Sequence, residues 1–211
     1  DYCIWACDCP KGMVCYGGEP IEPRCCGDNP EDFLDMDAIL QDLKEKEERS
    51  KYLDWYYPRS FPLTARRGER PSYKTFSFVG GMPKLNLRNK EAADFAIDVA
   101  SYWIRECDID GWRLDVADEI HHGFWKRFRR EIKAVKRDAL IVGEIWHFAG
   151  DFLAGDEWDS VMNYPFYFAA LELAAAGTMR ASAFLDHLGF MRGNLNRALD
   201  GYLWNFIDRH D

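Results

Sequence analysis

The chain has 211 residues, 47% hydrophobic and 15% aromatic, which suits one sizeable folded domain and is too apolar for a disordered one. Its net charge of -9 argues against a nucleic-acid partner, since gripping phosphates needs a basic patch. No apolar run is long enough to span a membrane, and no signal-peptide pattern opens the chain, so no membrane partner is expected.

Six of the seven cysteines (Cys3, Cys7, Cys9, Cys15, Cys25 and Cys26) crowd the first segment, and only Cys107 lies elsewhere. Crowding of this kind suits a secreted disulfide knot. A zinc site would need regular Cys-x-x-Cys pairs or nearby His, and neither is present, so no metal ligands are expected. Residues 1–31 are rich in Cys, Gly and Pro without useful periodicity and are left unassigned. The remainder reads as an intracellular, cytoplasmic protein with one buried thiol.

From Asp35 to Glu48 a charged helix is expected, its charges forming a solvated face. The stretch Lys51 to Pro58 is dense in aromatics, and residues 59–75 look like an irregular loop. Gly80-Gly81 and Pro83 mark a shaped loop before Asn86. Glu91 to Cys107 reads as an amphipathic helix, with Phe95, Val99, Trp103 and Ile104 and Ala92, Ala96 and Ala100 at helical spacing. A strand over Ile109–Val116 follows. A second helix is expected from about His121 to Val135, with Phe124, Trp125, Phe128, Ile132 and Val135 on one side. Further strands are expected at Ala139–Trp146, Ser160–Pro165 and Tyr202–Asp211, with helices at Phe166–Ala176 and Ala181–Met191 and a break at Gly177.

Alternation of helices with near-continuous apolar strands is the pattern of parallel β/α units. Three of the four strands end in acids, Asp115, Glu144 and Asp211. Barrels and doubly wound sheets both place their chemistry at the carboxyl ends of strands. No Gly-x-Gly-x-x-Gly turn or phosphate loop is present, so nucleotide binding loses ground. Within the first strand Arg113 and Asp115 share one face, and charges inside a buried strand are costly unless paired or used. An ion pair that merely fixes the strand end is the plain alternative.

Two carboxylates on neighbouring strands can divide the work of glycoside cleavage. Arg113 should hold Asp115 ionised, as a nucleophile requires. Glu144, among Val142, Ile145 and Trp146, should have a raised pKa, as an acid requires. Asp211 would stabilise positive charge on the sugar ring, and His210 could donate to a hydroxyl. Trp146, Tyr164 and the aromatics near Trp55 offer flat apolar faces to a sugar.

The motifs Gly111-Trp-Arg-Leu-Asp115, Gly143-Glu-Ile-Trp146 and Phe206-Ile-Asp-Arg-His-Asp211 resemble three signature regions of glycoside hydrolase family 13, the α-amylase family. Met82-Pro-Lys-Leu-Asn86, Val161-Met-Asn-Tyr-Pro-Phe166 and Ser50-Lys-Tyr-Leu-Asp-Trp55 resemble its neopullulanase, cyclomaltodextrinase and maltogenic amylase branch. The resemblance runs from about residue 32 to the end. It implies a (β/α)8 TIM barrel of which this chain carries about strands four to seven. Residues 32–86 would form the excursion after strand three, and residues 87–211 the catalytic barrel segment.

By the same resemblance the protein is a retaining α-glucan hydrolase. It would cut α-1,4-glucosidic bonds of maltooligosaccharides, cyclodextrins, pullulan or starch. Asp115 becomes the nucleophile, Glu144 the acid/base and Asp211 the transition-state stabiliser. Arg113, His210, Glu119, Trp146, Lys84 and Asn86 become substrate-binding residues. No cofactor is expected; calcium and a full-length homodimer are both compatible with the branch. The branch usually shows Asn just before Glu119, where this chain has Asp118. The family's Asn-His signature at the end of strand three does not precede residue 32. The start at Asp1 rather than Met and the four of eight strands suggest a fragment. The competing function is therefore an inactive barrel fragment or a non-catalytic sugar-binding relative. Residues 1–31 are expected not to be a native part of this fold, as a reading-frame error or fused piece would explain; a genuine Cys-rich insertion is the rival account.

Overall fold

A computed structural model describes residues 36–66, 69–76, 79–195, 199 and 201–209. The Cys-rich segment 1–31, and with it the question of its origin, lies outside the described residues, as do His210 and Asp211. The chain divides into two compact units between Lys84 and Leu85.

In the first unit, helix α1 (Met36–Lys46) buries Ile39 and Leu43, four residues apart, and leaves Gln41, Lys44 and Glu45 in solvent. Its charges form the expected solvated face. The aromatic stretch behind it is core: Tyr52, Trp55 and Tyr56 are buried, and Tyr52 meets Trp55 edge-on at 5.3 Å. Isolated antiparallel bridges, Pro58 to Tyr73 and Thr75 to Pro83, organise what the sequence reads as an irregular loop.

The second unit alternates helix and strand. Helix α2 (Lys90–Cys107) starts where the Asn89 side chain accepts from the Ala92 N–H at 3.0 Å, and it ends at Asp108 in the left-handed region. Its buried stripe is Ala93, Ile97, Ala100 and Ile104. Phe95, Val99 and Trp103, expected at its centre, lie half-buried at the margin. The alanines let the helix backbone approach its neighbours closely, and the bulky side chains are displaced to the flank. Cys107, expected buried, is half-exposed near the helix end.

Strand β1 (Gly111–Leu114) leads through helix α3 (His122–Val135) to strand β2 (Leu140–Gly143), and β2 leads to the short β3 (Ser160–Val161). The order is β1-β2-β3, both pairings parallel, with Leu114 opposite Gly143 and Gly143 opposite Val161. Parallel neighbours require a crossover, which α3 provides between β1 and β2. Helix α3 buries Phe124, Trp125, Phe128 and Ile132, whereas Val135 in its last turn is exposed.

The strands are shorter than their apolar runs. After Leu114 the backbone turns sharply, with Val116 at φ +44°. Helix α4 (Tyr164–Ala174) begins where a strand to Pro165 is expected, because the Asn163 side chain accepts from the Phe166 N–H and caps it. Helix α5 (Ala181–Asn194) follows. The expected strand over Tyr202–Asp211 is reduced, among the described residues, to one parallel bridge between Met162 and Trp204.

Two glycines set how tightly this sheet packs. A Cβ at Gly111, where φ is +155°, would lie 2.0 Å from the Leu140 carbonyl oxygen. A Cβ at Gly143 would lie 2.4 Å from the Trp158 ring. Trp158 is 1% exposed and stacks on Phe152 at 4.1 Å, so the end of β2 rests on an immobile aromatic pair.

Candidate active site

Asp115 and Glu144 each follow directly on a paired strand end, one residue past the register pair of Leu114 and Gly143. They therefore leave the sheet at the same, carboxyl, end. Arg113 joins them: its Nη1 donates to Asp115 Oδ1, and its Nη2 lies 3.0 Å from Glu144 Oε1. The Arg–Asp pair is thus part of a three-residue cluster.

Glu144 is the most completely held group in the cluster. It is 4% exposed and accepts from the Val116 N–H at 3.0 Å, from the Tyr164 hydroxyl at 3.0 Å and from the Trp146 indole N–H at 3.3 Å. Burial is the largest single influence and pushes the carboxyl up. Val116, Arg113, Trp146 and Tyr164 together outweigh it, so the carboxyl lies below the ordinary glutamate value. The apolar neighbours suggest the opposite shift. The difference arises because the Val116 N–H and the Arg113 charge favour the carboxylate, and two of the neighbouring rings add to them by turning a polar tip, an indole N–H and a phenol O–H, toward it. The Tyr164 hydroxyl is in turn pushed up, first by burial and also by the Glu144 charge.

The loop after β1 is shaped around Glu144. Left-handed geometry is rare for a β-branched residue, and at Val116 it aims the N–H at the carboxylate. The next N–H, of Ala117, donates to the Glu144 carbonyl at 3.1 Å. Asp118 then meets His147 Nε2 at 3.2 Å.

Trp146 is 55% exposed and stacks on Tyr164 at 5.6 Å, with the Arg209 guanidinium 4.9 Å from its ring centre. The part-exposed indole thus sets apolar surface beside the two carboxylates, with Tyr164 and Arg209 packed against its ring. Glu119 is exposed on the 3₁₀ turn Ala117–Glu119, just past Asp115. Asn86, at the start of the second unit, uses its side-chain oxygen to accept from the Arg88 N–H. Lys84, in the first unit, is half-buried and its backbone N–H donates to Lys74. Asp211 and His210 lie outside the described residues. Arg113, Asp115, Glu144 and Trp146 are thus together, with Glu119 one turn away. Sequence reasoning offers Tyr164 only as a flat face and misses its hydroxyl; it also misses the Val116 N–H and the Asp118–His147 pair.

Among the described residues no group of three or more His, Cys, Asp or Glu side chains could hold a metal ion, and no helix is long and apolar enough to cross a membrane.

Known proteins share this arrangement of elements. The cyclomaltodextrinase of Geobacillus thermopakistaniensis is 47% identical over 172 residues, which cover 82% of this chain and 29% of that protein. Neopullulanase 2 of Thermoactinomyces vulgaris is 43% identical over 178 residues, 84% of this chain and 30% of its own length. The solved structure of a cyclomaltodextrinase superposes with a TM-score of 0.79 at 42% identity, covering 82% of this chain and 30% of that one. The chain spans about three tenths of the length of these relatives. The profile of the alpha-amylase catalytic domain matches residues 40–211, and the chain belongs to that family.

Proposed function

We propose that this chain is the segment of a (β/α)8 barrel carrying about strands four to seven, and that the whole protein is a retaining α-glucan hydrolase. Its substrates would be α-1,4-linked maltooligosaccharides, cyclodextrins, pullulan or starch, a choice supported by its similarity to a cyclomaltodextrinase and a neopullulanase. The carrying observation is that Asp115 and Glu144 leave adjacent parallel strands at matched positions and share the Arg113 guanidinium. One guanidinium beside both carboxyls suits the closely spaced pair of a retaining enzyme, about 5–5.5 Å apart.

In this reading Asp115 attacks the anomeric carbon while Glu144 gives its proton to the departing glycosidic oxygen. Glu144, now a carboxylate, then takes a proton from water, and the water displaces Asp115 from the sugar. The donors around Glu144 favour the carboxylate, the form needed in that second half. Asp211 would stabilise the charge developing on the ring. His210, Glu119, Lys84 and Asn86 would contact substrate, and Trp146 would stack on a sugar. The reaction would use no cofactor, in a cytoplasmic protein.

The test is hydrolysis of a chromogenic maltoside by a complete catalytic domain carrying this segment. Asp115→Asn and Glu144→Gln should each abolish turnover with unchanged circular dichroism. Retained activity in either folded variant refutes the assignment.

A further inference from the structure

The loops after β1 and β2 are tied by successive rungs. The Val116 N–H donates to Glu144 Oε2, the Ala117 N–H to the Glu144 carbonyl, and Asp118 Oδ2 faces His147 Nε2 at 3.2 Å. The first two rungs act on Glu144 itself. The third lies at the far end of both loops, one residue beyond Trp146, whose indole N–H also reaches Glu144. His147 is held from two sides, because its Nδ1 lies 3.2 Å from the Phe148 carbonyl oxygen. A carboxylate oxygen only accepts, so the His147 ring supplies the donor in its contact with Asp118.

We infer that Asp118 and His147 form a positioning pair, which closes the two loops over Glu144 and keeps the Val116 and Trp146 N–H groups directed at its carboxylate. The proposal rests on the reading of Glu144 as the acid/base, and it adds residues that touch neither the reacting atoms nor Glu144. The part-exposed pair sits where water screens its charge, so its effect is on loop geometry more than on fold stability. The groups facing Glu144 from the surrounding elements are Arg113 and Asp115 at the end of β1, Tyr164 on α4, and Arg209 through the rings of Trp146 and Tyr164. None of these belongs to the pair, so breaking the pair leaves them in place.

The test uses a complete catalytic domain carrying this segment. The Glu144 carboxyl is followed by carbon-13 NMR through a pH titration in the unaltered chain and in Asp118→Ala, His147→Ala, the double variant and Asp118→Asn. Loss of the pair frees two N–H donors, so the midpoint should move to higher pH. The double variant should match the singles, and Asp118→Asn, which keeps an oxygen for Nε2–H, should return most of the way to the unaltered value. A Glu144 midpoint unmoved in Asp118→Ala with unchanged circular dichroism overturns the proposal, as do additive shifts in the double variant. Because no catalysis is measured, this result is separate from the fate of the hydrolase reading.

Discussion

Replacing Gly143 by Ala tests why a glycine stands immediately before Glu144. The added Cβ would lie 2.4 Å from Cε3, 2.6 Å from Cζ3 and 2.7 Å from Cδ2 of Trp158. Carbon pairs are comfortable at roughly 3.5–4.0 Å, so the contact is short by about 1 Å or more. The ring has little room to retreat, being fully buried, stacked on Phe152 and edge-on to Trp125 at 5.9 Å. Overpacking of this kind costs about 1–3 kcal/mol, and lower chain entropy in the unfolded state returns about 0.4–1 kcal/mol for Gly→Ala. We expect a net loss of about 1–2 kcal/mol, or roughly 2–8 °C in Tm for a chain of this size. Equilibrium urea unfolding followed by far-UV circular dichroism measures it. Repeating Gly143→Ala in a Trp158→Leu background isolates the contact, and the cost should largely vanish there. A neutral Gly143→Ala, or the same cost with and without the Trp158 ring, would refute the packing argument.

Ile132→Ala, at a site with no solvent exposure on the buried face of α3, should cost about 2–5 kcal/mol in the same unfolding assay, and a cost under about 1 kcal/mol would contradict the core assignment. Asp159 is expected to contribute to acid stability. Burial pushes its carboxyl up, but Lys133, Arg129 and the Ile141 N–H bring it below the ordinary value. A depressed carboxyl contributes stability that is present above its unfolded value and is lost as pH falls through the folded one. Asp159→Asn should therefore lower Tm at pH 7 and flatten its fall below about pH 4; an unchanged acid limb would count against the cluster. Glu157 has the reverse sign: burial dominates and raises it despite His122, so its penalty grows as pH climbs above the ordinary glutamate value. Glu157→Gln should raise Tm at pH 7 relative to pH 4, and the opposite ordering would contradict the sign.

Helices were the most legible part of this chain, since 3.6-residue periodicity and capping residues locate α2 and α3 to within a residue or two. Face assignment was less so. Large apolar residues mark the amphipathic side of α2, but Ala92, Ala93 and Ala100 are buried where Phe95, Val99 and Trp103 are not, and small size is a weak signal in a single sequence. Strand ends were over-extended because an apolar run continues past the point where Val116 turns left-handed. Motif spacing identified Asp115, Glu144, Arg113 and Trp146 as neighbours. The protonation bias of Glu144 is hidden, because a sequence does not show that the Val116 N–H and Arg113 reach its carboxylate, nor which way a nearby Trp N–H or Tyr O–H points. Pairing of Asp118 with His147 depends on two loops 29 residues apart meeting in space, which no local pattern encodes.

The proposed roles of Asp115 as nucleophile and Glu144 as acid/base of a retaining reaction call for trapping the covalent sugar. In a complete catalytic domain carrying this segment, Glu144→Gln should slow release of the glycosyl-enzyme, while an activated fluoride donor with a good leaving group should still form it. Incubation with α-maltosyl fluoride followed by peptide mass spectrometry should find a maltosyl ester on Asp115, absent from Asp115→Asn. A sugar ester on another residue, or turnover of the fluoride with none on Asp115, would contradict the account.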